Sequence, residues 1–403
     1  MDSSRNSSAL TSGFPVFLFF AIMMVAANLR APFTGVAPLL NDLQQSLSIS
    51  ASTAGLMITL PLLVFMVVSP TIPALSRRYG MERLLLAALV FIGAGIAIRS
   101  LGGLGWLFFG TVLIGTGIAA GNVLLPGVVK SRFPNHIALL TSAYVLAMGI
   151  MAATWSALVI PLAEADWGNW QVALLAMLIM PVVSALLWLT QLRGRRKPAP
   201  TTAHKPPKSI FRAWLTWQVC GFFACNSFLY YSVVSWLPAV VGEAGFSDAE
   251  AGSIHGVFQF AGALPGLIIV PAMARLRDQR ALSASMTAVN LAGFAGIMIL
   301  PSLAYLWAAL LGFGIGANFI LALSFLGLRA RTGDQAASLS SAAQTLGYCV
   351  AAAGPFALGA IYDYLGQWQL ALWVCVIFSL LQAALGTRVG RNVLLPADSA
   401  ASS

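Results

Sequence analysis

The sequence predicts an all-α membrane protein of twelve transmembrane helices, arranged as two six-helix pseudo-repeats. Three observations carry that prediction: long apolar runs, connections that alternate in charge, and residues that recur at a nearly constant offset. Apolar residues make up 59% of the 403 positions and charged residues only 8%, against about 25% charged in soluble domains. The mean hydropathy is +0.86. Runs such as 14–29, 84–98, 137–162 and 291–311 approach or exceed the roughly 20 residues that cross about 30 Å of hydrocarbon as helix.

The first span is predicted over 14–40. Asp2 and Arg5 precede it as they would a signal peptide, but the run continues through Pro32, Gly35 and Pro38 to Leu40, longer than a signal h-region. A retained helix follows. The next spans are 53–76, 84–100, 105–129, 137–163 and 171–192, and the second set is 213–241, 251–274, 281–300, 303–328, 336–361 and 368–387. Arg77, Arg78 and Arg83 follow the second span, Lys130 and Arg132 the fourth, and a cluster from Arg193 to Arg212 the sixth. Arg275, Arg277 and Arg280 follow the eighth and Arg329 and Arg331 the tenth. With Arg5, Arg388 and Arg391 at the termini, this set holds 20 of the 22 Lys and Arg residues. The other set of connections holds Asp42, Glu164, Asp166, Glu243, Asp248, Glu250 and Asp363, with Arg99 its only base. The positive-inside rule therefore places both termini and the basic loops in the cytoplasm, in a bacterial inner membrane. The net charge of +10 is explained by orientation and does not call for a nucleic-acid partner.

The Arg/Lys/Pro-rich stretch 194–212 is predicted to be a cytoplasmic linker between halves spanning 1–193 and 213–403. Its charge suits anionic membrane lipid, though a solvated tether is the favoured reading. Gly55 and Gly252 lie 197 apart, Pro73 and Pro271 198, Gly115 and Gly312 197, Asn122 and Asn318 196, and Gly149 and Gly347 198. The shared offset indicates a duplication, and two parallel repeats that rock about a midplane site are a transporter pattern.

Arg30 is the only formal charge placed well inside a span. A charge at that depth costs about 2.5–3.5 kcal/mol or more unless it faces a cavity or a partner, so it marks a candidate functional site. On a helix, Arg30 and Thr34 share a face, with Asn28 and Pro38 on adjoining rows. No Asp or Glu lies well inside any span. A cationic solute would meet Arg30 uncompensated, so a small anionic or neutral polar solute is expected. His255, with Gln259 one turn on, is a candidate for proton coupling or a hydrogen-bonded polar residue near the interface. In the seventh span Asn226, Tyr230 and Tyr231 suit a cavity wall, whereas Trp236 fits the interfacial aromatic belt. Gln344 and Tyr348 share a face of the eleventh span, open to either a cavity role or helix packing.

Other signals fail their context. The glycine series around Gly115 and Gly312 follows no strand and reads as helix packing rather than a nucleotide site. Cys220, Cys225, Cys349 and Cys375 lack metal-ligand spacing and read as buried small apolar residues. No cofactor, metal or catalytic set is expected. A membrane receptor that binds without transport is the alternative, and it would usually bring a further signalling domain.

The loop Ser76-Arg77-Arg78-Tyr79-Gly80-Met81-Glu82-Arg83 resembles the signature between the second and third helices of major facilitator superfamily transporters, although no acidic residue precedes its first Arg. Three further stretches resemble the branch containing the cyanate permease and the 2-nitroimidazole exporter, the exporter being the closer. These are Asn28-Leu29-Arg30-Ala31-Pro32-Phe33-Thr34-Gly35-Val36-Ala37-Pro38-Leu39-Leu40, Gly121-Asn122-Val123-Leu124-Leu125-Pro126-Gly127, and Tyr230-Tyr231 with Trp236-Leu237-Pro238. The resemblance implies the major facilitator fold, secondary transport of a small solute, and a gating role for Arg77, Arg78 and Arg83. It also implies a cavity lined by the first, fourth, seventh and tenth helices, which adds Asn122 and Asn318 to the candidates. Interhelical hydrogen bonding, worth about 0.6 kcal/mol each, is the competing reading for both.

Overall fold

The computed structural model describes residues 16–133, 136–166, 168–193, 211–331 and 333–396, and among them there is no strand. Most of the expected linker, 194–210, lies outside the described residues. Among the described residues, twelve helices are long and apolar enough to cross a membrane. They are α1 (Val16–Leu47), α2 (Ala51–Thr71), α3 (Met81–Arg99), α4 (Leu104–Val129), α5 (Ala143–Glu164), α6 (Trp170–Leu192), α7 (Trp214–Glu243), α8 (Asp248–Met273), α9 (Arg280–Ile299), α10 (Pro301–Leu328), α11 (Leu339–Leu365) and α12 (Gln369–Val389). Each predicted span falls on one of them.

Packing repeats from one set of six to the other. In the first set α1 packs on α5 and α6, α2 on α4, and α3 on α4 and α6. In the second, α7 packs on α11 and α12, α8 on α10, and α9 on α10 and α12. Two polar pairs recur at the same places. Asn28 Nδ2 donates to Ser184 Oγ at 2.7 Å, and Gln382 Nε2 donates to Asn226 Oδ1 at 3.0 Å. Asn226 and Gln382 each lie 198 residues after their counterparts, Asn28 and Ser184. Arg132 pairs with Glu82 at 2.8 Å, and Arg329 Nη2 donates to Gln279 Oε1 at 2.7 Å, each member again 197 residues on. Two helix crossings are thus fixed by polar pairs at equivalent positions in both halves, although the bonds differ: the donor switches from Asn28 to Gln382, and the Arg132–Glu82 ion pair is replaced by an Arg329–Gln279 hydrogen bond.

The halves meet along two seams, α2 with α11 and α5 with α8. Gly55 of α2 backs onto the Pro355 carbonyl of α11, and Gly252 of α8 onto the Ser156 carbonyl of α5. A Cβ at either place would strike backbone, so glycine allows the close approach. At the ends carrying the acidic connections, both Asp363 carboxylate oxygens accept from backbone N–H groups of α2, Ala51 at 2.8 Å and Ser52 at 2.9 Å. A carboxylate at a helix N-terminus satisfies otherwise orphaned donors. Thr59 Oγ1 donates to the Ala352 carbonyl at 2.8 Å, and Cys349 Sγ lies 3.5 Å from Met66 Sδ. Trp236 Nε1 donates to the Pro355 carbonyl at 2.8 Å. Trp236 is 2% exposed, so it belongs to this closure and not to an interfacial belt. Cys349 is exposed, which corrects its assignment as buried.

The chain departs from expectation most at α1. It is not one helix: Val16–Ala27 is followed by a turn at residues 28–30, a short helix Ala31–Thr34, a 3-10 turn Ala37–Leu39 and a helix Leu40–Leu47. Pro32 and Pro38 lack N–H donors, and a broken helix survives in a membrane where neighbours satisfy the freed groups. Here Asn28 Nδ2 also donates to the Met24 carbonyl at 2.7 Å, and Thr34 Oγ1 donates to the Arg30 carbonyl at 3.2 Å. The break therefore parts Asn28 from Arg30 and Thr34, which remain one turn apart, with Thr34 N donating to the Arg30 carbonyl at 3.0 Å.

Arg329 also differs from its reading as a solvated loop base. It is 1% exposed, and its Nε donates to the Val389 carbonyl at 2.7 Å. Burial lowers its guanidinium pKa from the usual value, with the Asp278 charge opposing.

Candidate substrate site

The break in α1 sets Arg30 at the head of the short helix Ala31–Thr34 and aims it at the other half. Its guanidinium carbon lies 4.7 Å from the centroid of the Tyr230 ring on α7, within range of a cation–π contact. Tyr230 OH donates to Gln259 Oε1 of α8 at 3.2 Å, and its ring packs on Tyr231 edge-on at 5.0 Å and on Phe258 at 6.1 Å. Tyr231 meets Phe33 of α1 edge-on at 5.7 Å. Tyr348 of α11 packs edge-on against Phe65 of α2 at 6.2 Å, and Tyr348 and Arg30 are both electrostatic neighbours of Tyr231. One cation thus sits among rings drawn from both halves. No carboxylate neutralises it, since the ion pairs among the described residues are Arg132–Glu82 and Arg280–Asp278.

His255 is fully buried beside this group, with Nδ1 3.0 Å from Ser156 Oγ of α5. Gln259 Nε2 is buried without a hydrogen-bond partner, whereas His255 also meets the Val234 backbone of α7. The His255–Ser156 contact therefore crosses the α5–α8 seam, and Gln259 borders the Arg30 site through Tyr230.

Other expected site residues lie elsewhere. Asn28 and Asn226 are spent on helix packing within their own halves. Asn318 Nδ2 reaches Thr287 Oγ1 of α9 at 3.5 Å, away from Arg30. Gln344 Nε2 donates along its own helix to Ser340 Oγ at 2.8 Å. Thr34 is buried, its hydroxyl spent on the Arg30 carbonyl, and Asn122 is exposed on α4. Of the loop arginines, Arg78 stacks on Tyr79 at 5.3 Å and Arg83 is exposed. The Arg77 side chain lies outside the described residues. The acid used at this end is Glu82, paired with Arg132.

Sequence reasoning missed Arg99. It reads as the lone base among the acidic connections, but it is 2% exposed. Its Nη1 donates to the Pro32 carbonyl at 2.7 Å and its Nη2 reaches Met177 Sδ at 3.3 Å. Arg99 thus holds the broken segment two residues beyond Arg30. Its isolation among acidic connections was the available signal. A separate, almost wholly apolar void lies within the second six helices among Trp236, Phe294, Leu311, Trp368 and Cys375.

The chain is 45% identical over 387 residues to the 2-nitroimidazole transporter of Escherichia coli (strain K12), covering 96% of this chain and 98% of that one. It is 27% identical over 369 residues to the cyanate transport protein CynX of the same organism, covering 89% and 94%. Among solved structures, a bacterial homologue of the human lysosomal transporter Spinster superposes with a TM-score of 0.78 at 14% identity, covering 95% of this chain and 98% of that one. The Major Facilitator Superfamily pattern matches residues 16–354. With twelve membrane helices, a repeated six-helix packing and these relatives, the chain belongs to the Major Facilitator Superfamily of membrane transporters and is not an enzyme.

Proposed function

We propose that this protein is a secondary active transporter that moves a small, acceptor-rich or anionic solute by alternating access, in the manner of 2-nitroimidazole export. Cyanate-like anion transport is the second reading, favoured by the same uncompensated cation. The observation that carries the proposal is Arg30, held in the break of α1 against Tyr230 of the opposite half with no carboxylate partner. Arg stays charged at physiological pH and presents a rigid fork of donors, so a solute bearing acceptors would complete the site. The relative's 2-nitroimidazole, a flat ring with a planar nitro group, suits a fork beside aromatic faces.

The basic ends of the helices face the cytoplasm of a bacterial inner membrane in this reading, with both termini inside. The Asp363–α2 contact then lies on the outer side, where it would have to break for the site to open to that side. Rocking the halves separates Asp363 from Ala51 and Ser156 from His255. The coupling ion is the proton, with His255 as the group whose solvent access alternates, because its hydrogen bond crosses the moving seam.

The test is flux in proteoliposomes loaded with labelled 2-nitroimidazole or cyanate, for the natural protein and Arg30→Ala, with and without a proton gradient. Saturable flux of either solute that collapses in Arg30→Ala is the expected result. Equal flux by both proteins would make Arg30 structural. A gradient response kept by the natural protein and lost in His255→Gln would support the coupling role, and an unchanged response would remove it.

A further inference from the structure

We infer that Gln259 contacts the solute and sets specificity at the Arg30 site: its amide Nε2 donates to the solute, and a solute that turns an N–H group toward it is rejected. This rests on the proposal that the solute sits at Arg30.

A chain of hydrogen bonds fixes which end of the amide faces outward. The Tyr230 hydroxyl shares a side-chain hydrogen bond with Arg30, and an arginine has donors only, so the phenol oxygen is the acceptor there. The phenol proton must then point elsewhere, and it goes to Gln259 Oε1 at 3.2 Å. An amide whose oxygen is held in this way turns its NH2 group away from the tyrosine. The orientation of Gln259 thus follows from the charge at the other end of the chain.

The donor end has no protein partner. Gln259 is 1% exposed, and its Nε2 is buried without an acceptor. A buried donor left unpaired is costly, and native structures keep few of them. The packing of α8 does not call for it. At the offset of 197 that relates Gly55 to Gly252, the counterparts of His255 and Gln259 are Ile58 and Leu62 of α2, both fully buried. An apolar side chain fills that turn in one half, and the amide stands in the half whose turn meets Tyr230.

The same chain gives the site one polarity. Arg30 carries donors only, the Tyr230 proton is committed, and Gln259 shows its NH2 group. A planar nitro group brings two acceptors and no donor. A carboxamide has the same outline with one oxygen replaced by NH2. Placed against Gln259, that NH2 sets donor against donor; turned over, it faces the Arg30 cation. Gln259→Glu inverts the far end alone, because one carboxylate oxygen still accepts from Tyr230 while the other puts an acceptor where Nε2 was.

The test compares 2-nitroimidazole with imidazole-2-carboxamide, in mildly acidic buffer where both are neutral. Dissociation constants are measured by titration calorimetry on the purified full-length protein, and flux of each labelled solute in proteoliposomes, for the natural protein, Gln259→Glu and Gln259→Met. The readout is the ratio of the two affinities, which does not depend on how much of a variant is folded. The natural protein should favour the nitro compound at least about tenfold, since a site built around its hydrogen bonds discriminates strongly against the wrong partner. Gln259→Glu should reverse the preference, and Gln259→Met should bring the ratio near one. Should Gln259→Glu fail to fold, judged by thermal unfolding, Gln259→Met decides alone. If Gln259 merely braces Tyr230, Gln259→Glu keeps the natural preference and Gln259→Met weakens both solutes equally; either result, or a natural protein that does not discriminate, would overturn the inference. Binding of 2-nitroimidazole that needs Arg30 but not Gln259 sinks only this inference, whereas binding that needs neither removes the proposed function as well.

Discussion

The first helix of one half and the seventh of the other began as copies and now do opposite work. Both carry an asparagine that bonds the last helix of its own half, Asn28 to Ser184 and Asn226 to Gln382. Yet α1 is broken at residues 28–30, whereas α7 runs unbroken as a 30-residue helix, Trp214–Glu243. The residue 198 places after Arg30 is Phe228, stacked on Phe378 of α12 with ring centroids 3.8 Å apart. The duplicated frame is kept where helices pack, and it has diverged where the halves face each other. One half supplies a charge on a short, unwound segment, and the other supplies a rigid wall of rings.

Substitutions can break that asymmetry. The largest expected effect is Arg30→Ala, which removes the charge-assisted donors; loss of two such bonds, at about 1.5–3 kcal/mol each, lowers kcat/KM for 2-nitroimidazole by 100-fold or more in proteoliposome flux. Next is Arg99→Met, which leaves the Pro32 carbonyl buried and unpaired at a cost of about 1–3 kcal/mol. It should lower the thermal unfolding midpoint and raise KM, and a midpoint unchanged from the natural protein would show that the break holds without Arg99. Asp363→Asn weakens the contact across the acidic ends by about 0.5–1 kcal/mol, read as faster labelling of a cysteine introduced at Ser52 on the acidic side. Smallest is Gln279→Glu, which gives the second half the ion pair that Glu82 and Arg132 form in the first. It should raise the unfolding midpoint only slightly, because desolvating a new carboxylate at this buried place offsets most of the attraction to Arg329, and a lowered midpoint would mean that the two ends are not equivalent.

The fold was legible because it is written in composition. A dozen apolar runs and alternating charges locate the spans, and a fixed offset near 197 reports the duplication without any tertiary contact. The site was legible only in part. Arg30 announces itself by cost, and Tyr230, Tyr231, Gln259, His255 and Tyr348 do gather near it or along the adjoining seam. The break in α1 was harder to read, because Pro32, Gly35 and Pro38 permit a kink without dictating one. What fixes it is a base from α3 and a hydroxyl from α6, both distant in sequence. The asparagines misled for a related reason: an amide in an apolar span signals a hydrogen bond but not whether a helix or a solute receives it. Trp236 looked like a belt residue by its depth, yet its indole N–H is needed by the Pro355 carbonyl, a partner that only the folded seam brings near.

The most direct measurement is a double-mutant cycle on solute binding, with 2-nitroimidazole titrated into the natural protein, Arg30→Ala, Tyr230→Ala and the double variant. If Arg30 and Tyr230 form one site across the two halves, the double variant binds little worse than the weaker single variant, because the two residues act as a unit. Independent, additive losses, or a Tyr230→Ala protein that binds normally, would contradict a shared site and leave Arg30 acting from one half alone.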